Sequence, residues 1–118
     1  MSIDLIIPEP SAVVKTNELL LGIKVDSTRI EKVRSCFSSY YYYELTEEQI
    51  ASIINALIKN HCFLDANKRT AFLTFISICN INNITNIKDK SQYATIFENI
   101  AANHYTVQEV AKLLFTKI

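Results

Sequence analysis

The sequence predicts an all-α protein, a compact bundle of about six helices around a central buried helix. Three observations predict it. Only one glycine and two prolines occur in 118 residues, too few for the dense turn chemistry of an all-β chain. Apolar residues recur at helical spacing, most clearly Ile50, Ile53, Ile54, Leu57 and Ile58, which fall on one continuous face. Helix-start signatures of the Ser/Thr-x-x-Glu/Gln kind stand before two such stretches, at Thr46 and Thr106.

Taken in chain order, Ser11 after Pro10 opens a first helix that Gly22 terminates, since glycine readily takes the left-handed conformation that closes a helix. Ser27 is the expected cap of a second, carrying Ile30, Val33 and Phe37. The third begins at Thr46 with Gln49 completing a capping box, and ends near Asn60. Residues 61–66 form a turn, and a fourth helix starts near Asn67. Its stretch "AFLTFISICNIN" is apolar nearly all round, which marks it as the central helix surrounded by the others. Asn-rich residues 80–90 read as its exit and a surface loop. Ser91 starts a fifth helix with Tyr93, Ile96, Phe97, Ile100 and Ala101 on one face. Thr106, capped reciprocally by Glu109, starts a sixth with Val107, Val110, Ala111 and Leu114 inward.

Length and a 49% apolar composition suit one domain spanning residues 1–118. Twelve basic and twelve acidic side chains cancel, so no global charge attracts nucleic acid or an anionic membrane, and direct nucleic-acid binding is not expected. Cys36, Cys62 and Cys79 are odd in number, lack C-x-x-C spacing and sit among apolar neighbours. They read as reduced thiols, and a zinc site is not expected. The start "MSIDLIIPEP" has no basic leader, and the greasiest later stretch, residues 71–79, is too short to span a bilayer. A soluble, cytoplasmic protein is expected.

The polar chemistry concentrates in "HCFLDANKRT", residues 61–70. It straddles the turn before the fourth helix, so its polar groups sit at a helix N-terminus. The first turn there has unsatisfied N–H groups and a partial positive charge, to which Lys68 and Arg69 add full charges. An anionic ligand, most simply a phosphate, fits. Asp65 beside phosphates suggests Mg²⁺, which takes one or two carboxylates together with phosphate oxygens and water. His61 can accept a proton from an attacking hydroxyl. Phe63 is expected to pin the loop into the core. Taken singly, each of these residues is equally at home as a solvated or packing side chain at a helix start; the function rests on the ten together.

His61, Phe63, Asp65, Ala66, Asn67, Lys68 and Arg69 reproduce the spacing H-x-F-x-[DE]-[GA]-N-[GK]-R, and the segment resembles the signature loop of the Fic/Doc superfamily. Lys68 and the Thr70-Ala71 pair resemble its Doc (death-on-curing) toxin branch. The resemblance is close over roughly residues 46–80. It implies an all-α Fic fold in which a histidine activates a protein hydroxyl to attack a nucleotide phosphate. It further implies His61 as general base, Asp65 as Mg²⁺ ligand, Asn67 as part of the anion hole, and Lys68 and Arg69 as phosphate contacts. ATP is then the co-substrate. Doc-type proteins are toxins of toxin-antitoxin pairs that phosphorylate elongation factor Tu and stop translation. The alternatives are transfer of AMP by a Fic-type adenylyltransferase, and a catalytically inactive Fic-fold binding module.

Two departures from the superfamily pattern bear on the choice. Adenylylating members extend the motif to R-x-x-R, but the position three after Arg69 is Phe72, and where they carry glycine this chain carries Lys68. Both favour phosphoryl transfer, with the γ-phosphate facing His61. The self-inhibiting pattern [ST]-x-x-x-E-[GN] is matched only in part by "STRIEK", residues 27–32, which ends in Lys32. Inhibition is therefore expected from a separate antitoxin that inserts a helix near the site. The run Tyr40 to Tyr43 lies where the superfamily has a flap that aligns the target chain by β-augmentation; the other reading is packing near a helix start. Cys62 beside His61 suggests thiol catalysis, but adjacent side chains diverge and no separate base is evident.

Overall fold

Apolar spacing and helix-stop chemistry place six helices along the chain. The computed structural model describes residues 4–117. It contains α1 (Pro10–Leu21), α2 (Arg29–Cys36), α3 (Thr46–Lys59), α4 (Asn67–Ile81), α5 (Tyr93–Ala102) and α6 (Val107–Leu114), with short 3₁₀ turns at Tyr40–Tyr42 and Lys90–Gln92. Among the described residues there is no β-strand, only an isolated antiparallel bridge between Ile87 and Phe115.

The helix ends follow local chemistry. Pro10 occupies the first turn of α1, where its missing N–H costs nothing. Gly22 closes that helix at φ 69°, its N–H bonded to the Glu18 carbonyl at 2.8 Å. Asn83 does the same for α4 at φ 57°, with the Ile84 N–H reaching back to the Cys79 carbonyl and the Asn83 N–H to Asn80, the Schellman pattern. At α6 the capping box is present as expected, Thr106 and Glu109 each accepting the other's backbone N–H.

Three other expected caps are replaced by neighbours. Gln49 does not close a box on Thr46; its amide donates to the Tyr43 carbonyl at 2.9 Å, and Leu45 is the cap position. Asp26, not Ser27, supplies the side-chain acceptor ahead of α2, taking the N–H of Thr28, and Asp89 takes the N–H of Ser91 to open the 3₁₀ turn that leads into α5, so Ser91 donates there and caps nothing. In both cases a charged carboxylate one or two residues earlier takes the role of first side-chain acceptor.

The central helix is α3, not α4. No residue of α3 is exposed, and it packs against α2, α4, α5 and α6. By contrast α4 leaves Arg69, Leu73, Ser77, Asn80 and Ile81 exposed, a stripe at helical spacing that two apolar residues disguise in the sequence. Ser52 is the one polar residue of α3 that is buried; the others are half-buried. The buried apolar residues form one cluster running from Leu5 to Phe115.

Tyr93 locks α5 to α6. Its ring packs against Phe72, Phe75 and Phe97. Its hydroxyl donates to the Leu114 carbonyl at 2.7 Å and accepts the Lys88 N–H at 2.9 Å. Burial pushes its pKa up. Tyr93→Phe keeps the ring and strands both backbone groups, so it should lower stability by about 1–3 kcal/mol. The measurement is a lower urea midpoint at unchanged slope.

Candidate functional site

The turn between α3 and α4 is built from strained backbone held by short tethers. His61 lies at φ 46° and Ala66 at φ 60°, a region that side-chain-bearing residues rarely occupy. Such conformations persist only when the surroundings fix them. Phe63 is buried and joins the core, as the sequence predicts. The Asn67 amide clasps the Phe63 peptide, accepting its N–H at 2.9 Å and donating to its carbonyl at 2.8 Å. Arg29 of α2 donates to the Cys62 carbonyl at 3.3 Å. Asn17 of α1 donates to the Asp65 carbonyl at 3.0 Å.

These tethers bring the five sequence-predicted residues together. His61, Asp65, Asn67, Lys68 and Arg69 line one cavity of about 290 Å³. His61 enters from the end of α3; Asp65 comes from the turn; the other three occupy the first turn of α4. Ala66 is the cap of α4 and offers no side-chain oxygen, so the amides of Asn67, Lys68 and Arg69 keep hydrogens that the helix itself cannot satisfy. The Thr70 N–H is the first to close a helical bond, to the Ala66 carbonyl at 2.9 Å. An uncapped helix start therefore opens into the cavity, with two cationic side chains beside it.

Individual partners refine the roles these side chains can take. Asp65 is the only acid lining the cavity among the described residues. One of its oxygens accepts the Ala66 N–H at 2.7 Å, and the other is the group that could hold a cation. No cluster of three or more His, Cys, Asp or Glu side chains exists among the described residues, so a cation held by Asp65 needs most of its ligands from elsewhere. Asn67 is occupied by Phe63, which leaves one amide hydrogen for an anion. Lys68 pairs with Glu98 of α5 at 2.9 Å, and both side chains are largely solvated, so the pair contributes under about 1 kcal/mol and gives way readily to a phosphate.

Lys68 and Arg69 also form one wall of a larger cavity of about 510 Å³, whose floor is Phe72, Tyr93 and Phe97 and whose rim carries Lys90. The sequence pattern does not point to this space, because α5 supplies half of its lining from 25 residues or more downstream of Lys68. The two cations thus stand between a polar cavity and an aromatic one.

Other sequence-marked residues lie elsewhere. Cys62 is fully buried, does not line the His61 cavity, and sits 3.5 Å from the Cys36 sulfur. Its pKa is lowered, first by the Cys36 thiol and then by the charges of Lys32 and Arg29, while Cys36 is pushed up by the same contact. All three cysteines are free thiols, and burial pushes Cys79 up to about 12. Tyr40–Tyr42 form a 3₁₀ turn with Tyr41 and Tyr42 exposed and their rings 4.6 Å apart; this turn offers no strand for β-augmentation. Glu31, the acid of the partial inhibitory pattern, pairs with Arg34 on the surface of α2. No helix among the described residues is long and apolar enough to cross a membrane.

No individual curated protein matches the chain. The family model described as Fic/DOC family matches residues 7–79, which is more than half of the sequence and takes in α1 to α3, the whole turn and most of α4. The match ends on the helix whose uncapped start forms the cavity, and with it the all-helical fold, the turn and its residues have one origin: the chain belongs to the Fic/DOC family.

Proposed function

We propose that the protein is a Doc-like toxin that uses ATP and Mg²⁺ to phosphorylate a Ser or Thr hydroxyl of a cytoplasmic protein, with elongation factor Tu as the expected target. Transfer of nucleotide-derived groups onto proteins is general to the family. What supports the finer reading is a single arrangement: Lys68 and Arg69 at an uncapped helix start, shared between a polar cavity holding His61 and Asp65 and a larger aromatic one.

In this reading the phosphates lie against the first amides of α4 and the side chains of Lys68 and Arg69, and the aromatic cavity takes the rest of the nucleotide. The free oxygen of Asp65 would hold Mg²⁺, a cation that suits one or two carboxylates together with oxygen donors from outside the protein. Bound Mg²⁺ supplies charge neutralisation on the transferring phosphoryl group. His61 takes the proton from the target hydroxyl. The hydroxyl oxygen then bonds to the γ-phosphorus as the bond to the β-γ bridging oxygen breaks, and ADP leaves.

Lys68 is compatible with this orientation. It lies in the first turn of α4 without a left-handed φ, so the backbone there needs no glycine. Phe72, where a second arginine would stand, forms the aromatic floor instead of a phosphate clamp. Glu31, the acid of the partial inhibitory pattern, does not line the His61 cavity, which supports control by a separate antitoxin helix.

Expression in a bacterial host tests the toxin reading. The wild type should arrest growth, the His61→Ala variant should not, and co-expression of the neighbouring short reading frame should relieve the arrest. Equal arrest by both forms would contradict catalysis, and no arrest by either would favour an inactive binding module.

A further inference from the structure

Asn17 lies on the buried face of α1 beside Val13 and Val14, and is fully buried. Its neighbours show that an apolar side chain suits this face. Yet its amide nitrogen donates to two acceptors, the Asp65 carbonyl and the Thr70 hydroxyl, each at 3.0 Å. Its own oxygen has no hydrogen-bond partner. An unpaired buried oxygen costs stability, so packing alone does not account for an asparagine here.

The two acceptors bracket the start of α4. Asp65 precedes the left-handed Ala66, and Thr70 closes the first helical bond. Between them stand the three uncapped amides. The Asp65 side chain is exposed and anchored only by the N–H of the next residue, so the direction of its carboxylate depends on the peptide that carries it. Asn17 holds that peptide from a different helix, 48 residues away in sequence. It does not itself line the His61 cavity.

We infer that Asn17 is a positioning residue for the cation site: by holding the Asp65 peptide it aims the Asp65 carboxylate into the cavity and sets the affinity for a divalent metal, without touching the reactants. This rests on the reading of Asp65 as the Mg²⁺ ligand. Outer groups that orient a ligating carboxylate commonly change metal affinity by about 10- to 100-fold when removed.

Two variants separate positioning from mere structure. Asn17→Leu removes both bonds. Thr70→Val removes only the bond to Thr70 and leaves the Asp65 carbonyl held. Both lose a buried hydrogen bond, so both should melt at lower temperature. Mn²⁺ binding in the presence of a non-hydrolysable ATP analogue, followed by the electron paramagnetic resonance signal of free Mn²⁺, distinguishes them. Asn17→Leu should weaken binding about tenfold or more, while Thr70→Val stays near wild type. The Mg²⁺ concentration for half-maximal transfer should rise in the same proportion, with kcat at saturating Mg²⁺ largely retained. Asn17→Ser, whose hydroxyl is too short to reach both acceptors, gives the same readout if the leucine variant fails to fold. Wild-type Mn²⁺ affinity in the Asn17 variants, or an equal loss in Thr70→Val, would overturn the inference. Absence of Mn²⁺ binding by the wild type would instead overturn the reading of Asp65 on which it rests.

Discussion

Replacing His61 with alanine should lower group transfer by about 10²- to 10⁴-fold, the usual cost of losing a general base, while leaving the helical circular dichroism signal unchanged. The side chain is exposed and belongs to no part of the buried cluster, so its removal opens no cavity. Alanine inherits the same positive φ, a conformation that histidine adopts more readily, so a small backbone cost is added. The stability loss should therefore stay within about 1 kcal/mol, far too little to unfold the chain. The measurement is kcat at saturating ATP beside a denaturation curve of the same preparation. Full activity in the variant would remove His61 from the chemistry.

Asp65→Asn should be nearly as damaging, at about 10²-fold or more, because a charged metal ligand contributes several kcal/mol in the transition state. The substitution is isosteric and keeps an oxygen for the Ala66 N–H, so the turn retains its shape. What disappears is the negative charge that, in the proposed function, holds the cation. The loss should therefore be partly recovered by raising Mg²⁺, and a chelator should bring the wild type down to the level of the variant. A variant that stays active in the presence of chelator would separate Asp65 from metal binding altogether.

The order of helices was legible from apolar spacing, because α3, α5 and α6 each bury one face and burial is what the pattern encodes. Which helix sits at the centre was not. Leu73 and Ile81 are apolar yet face solvent with Ser77 and Asn80, whereas every residue of α3 is at least half-buried, and a hydropathy pattern does not register that contrast. Caps were legible only where no better acceptor stood nearby. Thr106 caps α6 through its side chain, but ahead of α2 and of the turn into α5 the acceptors are Asp26 and Asp89, one and two residues before the serines.

The residues at the candidate site were legible for a different reason. His61 to Arg69 are contiguous, so one turn carries them all into the same cavity. What supports that turn comes from afar. Asn17, Arg29 and Glu98 reach it from α1, α2 and α5, and nothing in the spacing of the decapeptide refers to them. Asn17 alone left a trace: a polar residue on a face otherwise marked by valines. The aromatic cavity left none, since Phe72, Tyr93 and Phe97 have the same periodicity as ordinary core residues.

The decisive measurement follows label from ATP into protein. Purified wild type, Mg²⁺ and either elongation factor Tu or a cell extract are incubated in parallel with ATP labelled at the γ or at the α phosphorus, and the target is then weighed intact. With His61 facing the γ-phosphate, label should enter protein from the γ position only, the target should gain one phosphate, and the His61→Ala variant should transfer neither label above a trace. Label entering from the α position alone, with the mass of an added AMP, would contradict the phosphoryl-transfer pose at Lys68 and Arg69.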